Sequence, residues 1–208
     1  AYMDVDGKRT AGNPNGHIIR FRESGDLATA TGFRWDIFLF GAEEDAGDAN
    51  LSGLTARNSF SSPDGLWFSP TTGICWIQTD DGAITDETNC MLLAGIPGTV
   101  GDGGPLTITN TDASGASKSV TTFVGAQPGT AKLRRFLVGP KDCEITGITE
   151  SPDGRALFVN IQHPGEDTPA ANIGNPSLFT SHWPDGGNAR PRSATIVIQR
   201  EDGGVIGV

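Results

Sequence analysis

The sequence has no apolar run approaching the roughly 18 residues that a membrane-spanning helix requires, so it encodes no helical span. Cysteine is scarce. Cys75, Cys90 and Cys143 are the only three, and an odd number allows at most one internal disulfide, which excludes a dense disulfide framework. Cys75 and Cys90 are candidates to bridge adjacent strands. Cys143 is expected to be a core thiol or a disulfide partner. Positive charge is also in short supply, with 15 Lys and Arg against 25 Asp and Glu and a net charge of −10. That balance argues against a nucleic-acid backbone as partner and suits divalent cations, which need clustered oxygen ligands. No Gly-x-Ser-x-Gly elbow, His-Glu-x-x-His pair or Walker-type loop occurs, which removes the commonest hydrolase and nucleotide readings. No signal peptide is present. The chain opens "AYMDVDGK" without an initiator Met, so the natural start is expected upstream.

Turn residues, by contrast, are plentiful. The 208 residues include 29 Gly and 13 Pro, and Asp-Gly occurs at 6–7, 64–65, 81–82, 102–103, 153–154, 185–186 and 202–203. Between these turns lie short apolar or alternating runs, the pattern of an all-β chain. With 36% hydrophobic and 19% charged residues the composition is that of a folded domain, and the length suffices for one sizeable core. Strands are predicted in "GHIIRFRE" and "GFRWDIFLFG", which read as a hairpin, and in "DGLWFSP", "GICWIQTD", "CMLLAGI" and "KLRRFLVGP". The segment 142–165 supplies two more, "RSATIVIQR" another, and "GGVIGV" (203–208) a last one. Residues 97–131, rich in Gly, Thr and Ser, read as an extended loop or irregular hairpin. No helix of any length is expected.

One internal repeat organises the chain. "FSSPDGLWFSPTTGICWIQTD" (60–80) and "CEITGITESPDGRALFVNIQH" (143–163) share a plan of acidic residue, strand, Ser-Pro turn and second strand ending in Ile-Gln. Superposing Ser69-Pro70 on Ser151-Pro152 places Asp64 opposite Thr146, two residues from Glu144. An even offset keeps both carboxylates on one strand face. If each repeat is a four-stranded propeller blade, Asp64 and Glu144 stand at a channel mouth, where Asp80, Gln162, His163 and Arg192 also gather. Buried unpaired carboxylates are costly, so such a ring implies a cation, and hard oxygen ligands favour Ca²⁺ or a trivalent metal over zinc. Blander roles compete at every position. Asp64 and Asp153 are both in Pro-Asp-Gly, a turn sequence, and Asp153 is assigned to its turn. His163 could simply hydrogen-bond a loop, and Arg192 could be solvated or ion-paired.

The runs "NPNGHIIRFRE", "FRWDIFLF", "SPDGLWF", "WIQTD", "LRRFLVGPKDCEITGI", "SPDGRALFVNIQHPGE", "WPDGG" and "RPRSATIVIQREDGGVIG" resemble, in order, the C-terminal part of the PhoX-type alkaline phosphatase family. The resemblance implies a secreted or periplasmic, monomeric phosphomonoesterase on a β-propeller, with a cluster of iron and calcium ions in the channel mouth. Asp64 and Glu144 match the family's metal-binding pattern, and Gln162, His163, Arg192 and Asp80 are candidates to orient substrate or support the ligands. Family members are several hundred residues long, and further cluster ligands (a cysteine, acidic residues, an Arg-Pro-Glu segment) lie in an N-terminal portion that this sequence does not contain. The expectation is therefore a single partial propeller of about two to three blades across residues 1–208, N-terminally truncated and inactive alone. Two alternatives stand beside it: a non-catalytic calcium-binding propeller module, and a propeller lactonase or esterase.

Overall fold

The computed structural model describes residues 15–82, 84–111 and 114–208; the Asp6-Gly7 turn expected from the sequence lies outside them. Eleven strands are found among the described residues: β1 (His17–Glu23), β2 (Phe33–Phe40), β3 (Pro63–Phe68), β4 (Cys75–Thr79), β5 (Met91–Gly95), β6 (Gly104–Thr111), β7 (Ser117–Val124), β8 (Leu133–Val138), β9 (Glu144–Glu150), β10 (Ala156–Gln162) and β11 (Ala194–Gln199). Helix is limited to one turn at Gly129–Lys132 and a few 3₁₀ turns. The strands form three sheets, ordered β1-β2-β7-β6, β3-β4-β5-β8 and β11-β10-β9. Every pairing is antiparallel except β2 with β7, which meet in parallel at Ile37 and Val124.

Why these runs fold this way follows from which faces are covered. One core joins Ile18, Phe38 and Leu39 of the first sheet to Cys75, Ile77, Met91, Leu93 and Leu133 of the second. Another joins Trp76 and Leu92 of the second sheet to Ile145, Leu157, Val159 and Ile161 of the third. Alternate residues of β4 and β5 thus face opposite cores, and the middle sheet is covered on both sides. That accounts for "CWIQT" and "MLLAG", which are buried almost throughout instead of alternating.

Three expectations need correction. Residues 104–124 are a regular hairpin of two eight-residue strands in full register, and it joins the first sheet through β7. Residues 203–208 are not a strand: Gly203 turns the chain at positive φ, and Ile206 anchors the tail in the second core while its N–H donates to Gly154 O. Cys75 and Cys90 are not bridged, and all three cysteines are free and buried. Antiparallel register pairs Cys75 with Gly95, five residues beyond Cys90. At about 3.4 Å per residue the two thiols sit roughly 17 Å apart, far beyond disulfide reach.

Candidate functional site

The two repeats form equivalent hairpins, β3–β4 and β9–β10. Their turns match: Ser69 N–H donates to Ile74 O as Ser151 N–H does to Ala156 O, and each serine hydroxyl accepts a further backbone N–H within its turn, from Thr72 and from Ala156. Both first strands carry a bulge. In β3 the register passes from Pro63–Thr79 to Gly65–Gln78, leaving Asp64 as the extra residue; in β9 Gly147 is the extra one. A bulge re-aims the side chain at its centre, and here it leaves Asp64 exposed at the start of β3. A Cβ at Gly65 beside it would crowd the Gln78 side chain, whose amide end would have to shift.

Glu144 opens β9 directly opposite Gln162, the last residue of β10. Superposing the serine turns places Ser62 and Asp80 at the equivalent pair, and Asp80 N–H does donate to Ser62 O, 3.1 Å away. Asp64, Asp80 and Glu144 therefore share one rim of the paired hairpins. Glu144 is only 9% exposed. Burial pushes its carboxyl above the ordinary range, the charges of Asp80 and Asp64 add to that, and the His163 contact partly offsets it. His163, at a positive φ of 36°, follows β10 and stands between two carboxylates: Nε2 lies 3.3 Å from Glu144 Oε2 and Nδ1 lies 3.0 Å from Glu166 Oε2. Its own N–H donates to Ser193 Oγ at 2.9 Å, and the loop after it is pinned where Gly165 N–H donates to Lys141 O.

The structure thus brings Asp64, Asp80, Glu144, Gln162 and His163 to one end of the two hairpins. Arg192 is next in sequence to Ser193, but its guanidinium is engaged in a two-bond pair with Asp185, both contacts at 3.1 Å, in solvent. Asp153 serves its turn, accepting from Ser151 Oγ and Arg155 N. Glu166 went unread in the sequence; a carboxylate three residues after a histidine across Pro-Gly was the available signal. A second acidic group, Glu43, Asp45 and Glu87, has ligand atoms within 4.8 Å of one another. Its third member is distant in sequence, so no local pattern pointed to it. No helix among the described residues is long and apolar enough to cross a membrane.

Chemically, the rim is a set of hard oxygen donors with uncompensated negative charge. Burial is the main cause of the raised carboxyl of Glu144, and the charges of Asp80 and Asp64 add to it, so a cation placed there would offset that part of the cost. By donor type the oxygens of Asp64, Asp80 and Glu144 suit a hard cation and not a structural zinc, but among the described residues the group that brings three ligand atoms within 4.8 Å of one another is Glu43, Asp45 and Glu87, not this one.

Comparison with known proteins bears on the same residues. A solved structure of Pseudomonas fluorescens PhoX in complex with vanadate, a transition state analogue, shares 32% sequence identity with this chain at a TM-score of 0.65. The similarity covers 98% of this chain and 30% of that one, so the chain spans about a third of the length of its relative. No curated protein matches the chain. The family described as alkaline phosphatase PhoX matches residues 3–165, a span that holds both hairpins and every carboxylate of the rim. Fold, order of motifs and family match agree, and the chain belongs to the PhoX alkaline phosphatase family.

Proposed function

We propose that this chain is the C-terminal portion of a secreted, metal-dependent phosphomonoesterase, monomeric when full length, whose three sheets are blades of a larger β-propeller. One observation carries the reading: Asp64, Asp80 and Glu144, from two equivalent hairpins, meet on one rim where Glu144 is desolvated and its carboxyl raised. The family match and the vanadate complex of the relative support it. Asp64 and Glu144, with Asp80 beside them, would hold part of a calcium and iron cluster completed by residues outside this chain. Bound there, those ions would supply positive charge against the phosphoryl oxygens of a phosphate monoester. His163 Nε2 faces Glu144 Oε2 and fixes the direction in which that carboxylate presents its other oxygen. Gln162, exposed across from Glu144, offers an amide to a substrate oxygen. Arg192 would reach substrate only by leaving Asp185.

The test uses full-length protein. Glu144→Gln keeps the side chain's size and removes its charge, so calcium affinity by calorimetry and phosphomonoester turnover should fall together, while the metal-free fold is as stable or slightly more so. Asp64→Asn should behave likewise, and the double variant should lose less than the sum if both carboxylates hold one ion. Asp153→Asn should change neither. The isolated 208-residue chain, supplied with iron and calcium, should show negligible turnover. Wild-type calcium dependence and turnover in Glu144→Gln would remove the carboxylate from the site.

A further inference from the structure

The third sheet is one strand shorter than the second. Hairpins β3–β4 and β9–β10 are equivalent, and β11 pairs with β10 as β5 pairs with β4. β8 then completes the second sheet beside β5, whereas among the described residues no strand lies beyond β11. Burial differs accordingly. Leu92 of β5 and Ile196 and Ile198 of β11 all reach the second core, yet Leu92 is fully buried and the two isoleucines are covered only in part. Between them Val197 is 55% exposed.

The phase of the ladder tells which backbone groups of β11 face outward. Ser151 N–H donates to Ala156 O, so Ala156 turns its backbone toward β9, and alternation turns Leu157, Val159 and Ile161 toward β11. His163 N–H, two residues further on, donates to Ser193 Oγ on that same side. The residues opposite these three in β11 are Ile198, Ile196 and Ala194. Thr195, Val197 and Gln199 therefore aim their N–H and C=O groups away from the sheet. Exposed edges normally resist pairing through charge, proline or a bulge. β11, Ala-Thr-Ile-Val-Ile-Gln, has no charge, no proline and no shift of register against β10. β8, which forms the outer edge of the second sheet, carries Arg134 and Arg135.

We infer that the edge of β11 receives a fourth strand, supplied by the part of the intact polypeptide that precedes residue 1 and hydrogen-bonded to Thr195, Val197 and Gln199. This rests on the reading of the chain as the C-terminal portion of a longer protein, and the similarity that covers 30% of the solved relative leaves ample chain for such a strand. Residues 200–208 are engaged elsewhere: the chain turns at Gly203, and Ile206 is anchored in the second core with its N–H on Gly154 O in the β9–β10 turn. Outer strands in this protein do arrive from a distance. β8 reaches β5 only after the β6–β7 hairpin, and β7 joins β2 after the whole β3–β5 segment. A tethered strand also has a far higher local concentration than a second copy of the chain.

The experiment measures amide hydrogen exchange, residue by residue, in the full-length protein. The N–H groups of Thr195, Val197 and Gln199 should exchange as slowly as those of Ile196 and Ile198, which the β10 ladder protects. Val197→Pro removes an outward N–H and leaves the β10 ladder intact. It should speed exchange at Thr195 and Gln199 by about tenfold, the loss of one hydrogen bond, and leave Ile196 and Ile198 slow. A benzophenone side chain placed at position 199 should cross-link on irradiation to a peptide that precedes residue 1 in the same polypeptide. Fast exchange at the three outward groups, or slow exchange there that is indifferent to Val197→Pro, overturns the proposal. So does a cross-link to a second copy or to a segment that follows Val208. Calcium dependence and turnover test the phosphatase reading separately. An exposed β11 edge in an active, calcium-dependent enzyme would overturn the edge pairing alone, and a protected edge in an inactive protein would support it.

Discussion

At the residue scale, Arg20 shows how one charged side chain fastens a loop to a sheet. Its Nε donates to Asp36 Oδ1 at 2.6 Å and its Nη2 to Asp36 Oδ2 at 2.9 Å, while Nη1 and Nη2 also engage Pro97 O and Asp102. Asp36 is fully buried and accepts in addition from Gly101 N–H. Removing Arg20 would strand that carboxylate, so Arg20→Met should cost about 3–5 kcal/mol in a denaturant titration. Asp102 gives the pH dependence. Burial raises its carboxyl, but Arg20 and the N–H groups of Ala126 and Thr99 outweigh that and hold it at about 2, against an ordinary 3.8. A lowered acid contributes stability above its ordinary value and loses it as pH falls through its folded value. Melting temperature should therefore drop between about pH 4 and pH 2, and less steeply in Asp102→Asn. An unchanged slope in that variant would assign acid sensitivity elsewhere. The cysteines offer a separate measurement. Burial pushes the Cys75 and Cys90 thiols to about 11 and the Cys143 thiol to about 12, so native protein should react negligibly with a thiol reagent at neutral pH. Denatured protein should titrate three equivalents.

At the element scale, the second and third sheets are tied together at both ends. Opposite the acidic rim, Glu150 of β9 accepts from Ser69 Oγ, Thr71 Oγ1 and Thr71 N–H, at 2.9, 2.6 and 3.2 Å. Near the rim, Gly139 leaves β8 against Cys143 and Ile145, and its N–H donates to Cys90 O at 2.9 Å. A methyl group at 139 would collide with Cys143 Sγ and Ile145. Gly139→Ala should destabilise by about 1–3 kcal/mol through overpacking, and Gly139→Ala combined with Cys143→Ser should recover part of it. No recovery would place the strain in the backbone. The repeat itself was legible in the sequence because Ser-Pro turns fix the phase of the strands around them. The bulges were not, since a bulge depends on how a partner strand pairs. The aligned spacing of Asp64 and Glu144 did not carry the bulges, which fall at Asp64 in β3 and at Gly147 in β9, one residue out of step between the repeats. Arg192 was grouped with the rim while a solvated or ion-paired role stayed open; it is ion-paired, because Asp185 in the loop that precedes it is brought alongside by turn geometry.

At the scale of the whole molecule, one face is exposed among the described residues. Phe21 (57% exposed), Phe33 (61%) and Trp35 (42%) lie together on β1 and β2, with Ile19 beside them, and the Phe21 and Phe33 rings meet edge-on at 5.7 Å. An apolar surface of this kind on an isolated chain favours association. Sedimentation should show concentration-dependent self-association, and Phe21→Ser with Trp35→Ser should reduce it. A chain that stays monomeric at all concentrations would contradict this.

The sequence by itself determined the all-β class, the positions of nine of the eleven strands among the described residues to within a few residues, the paired hairpins and the acidic residues near their ends. These are local properties. Turn chemistry and alternation act over a few residues, and a two-residue period tells which side chains share a face. Only the tertiary structure decided that the middle sheet is covered on both faces, that the hairpin strands β6 and β7 join β2 instead of staying a loop, and that Cys75 and Cys90 stand at opposite ends of the antiparallel β4–β5 pair. It also decided which arginines find an aspartate and which do not. Register, sheet order and ion pairing depend on partners far away in the chain, and the free energy of each such contact is set by the burial that the finished packing creates.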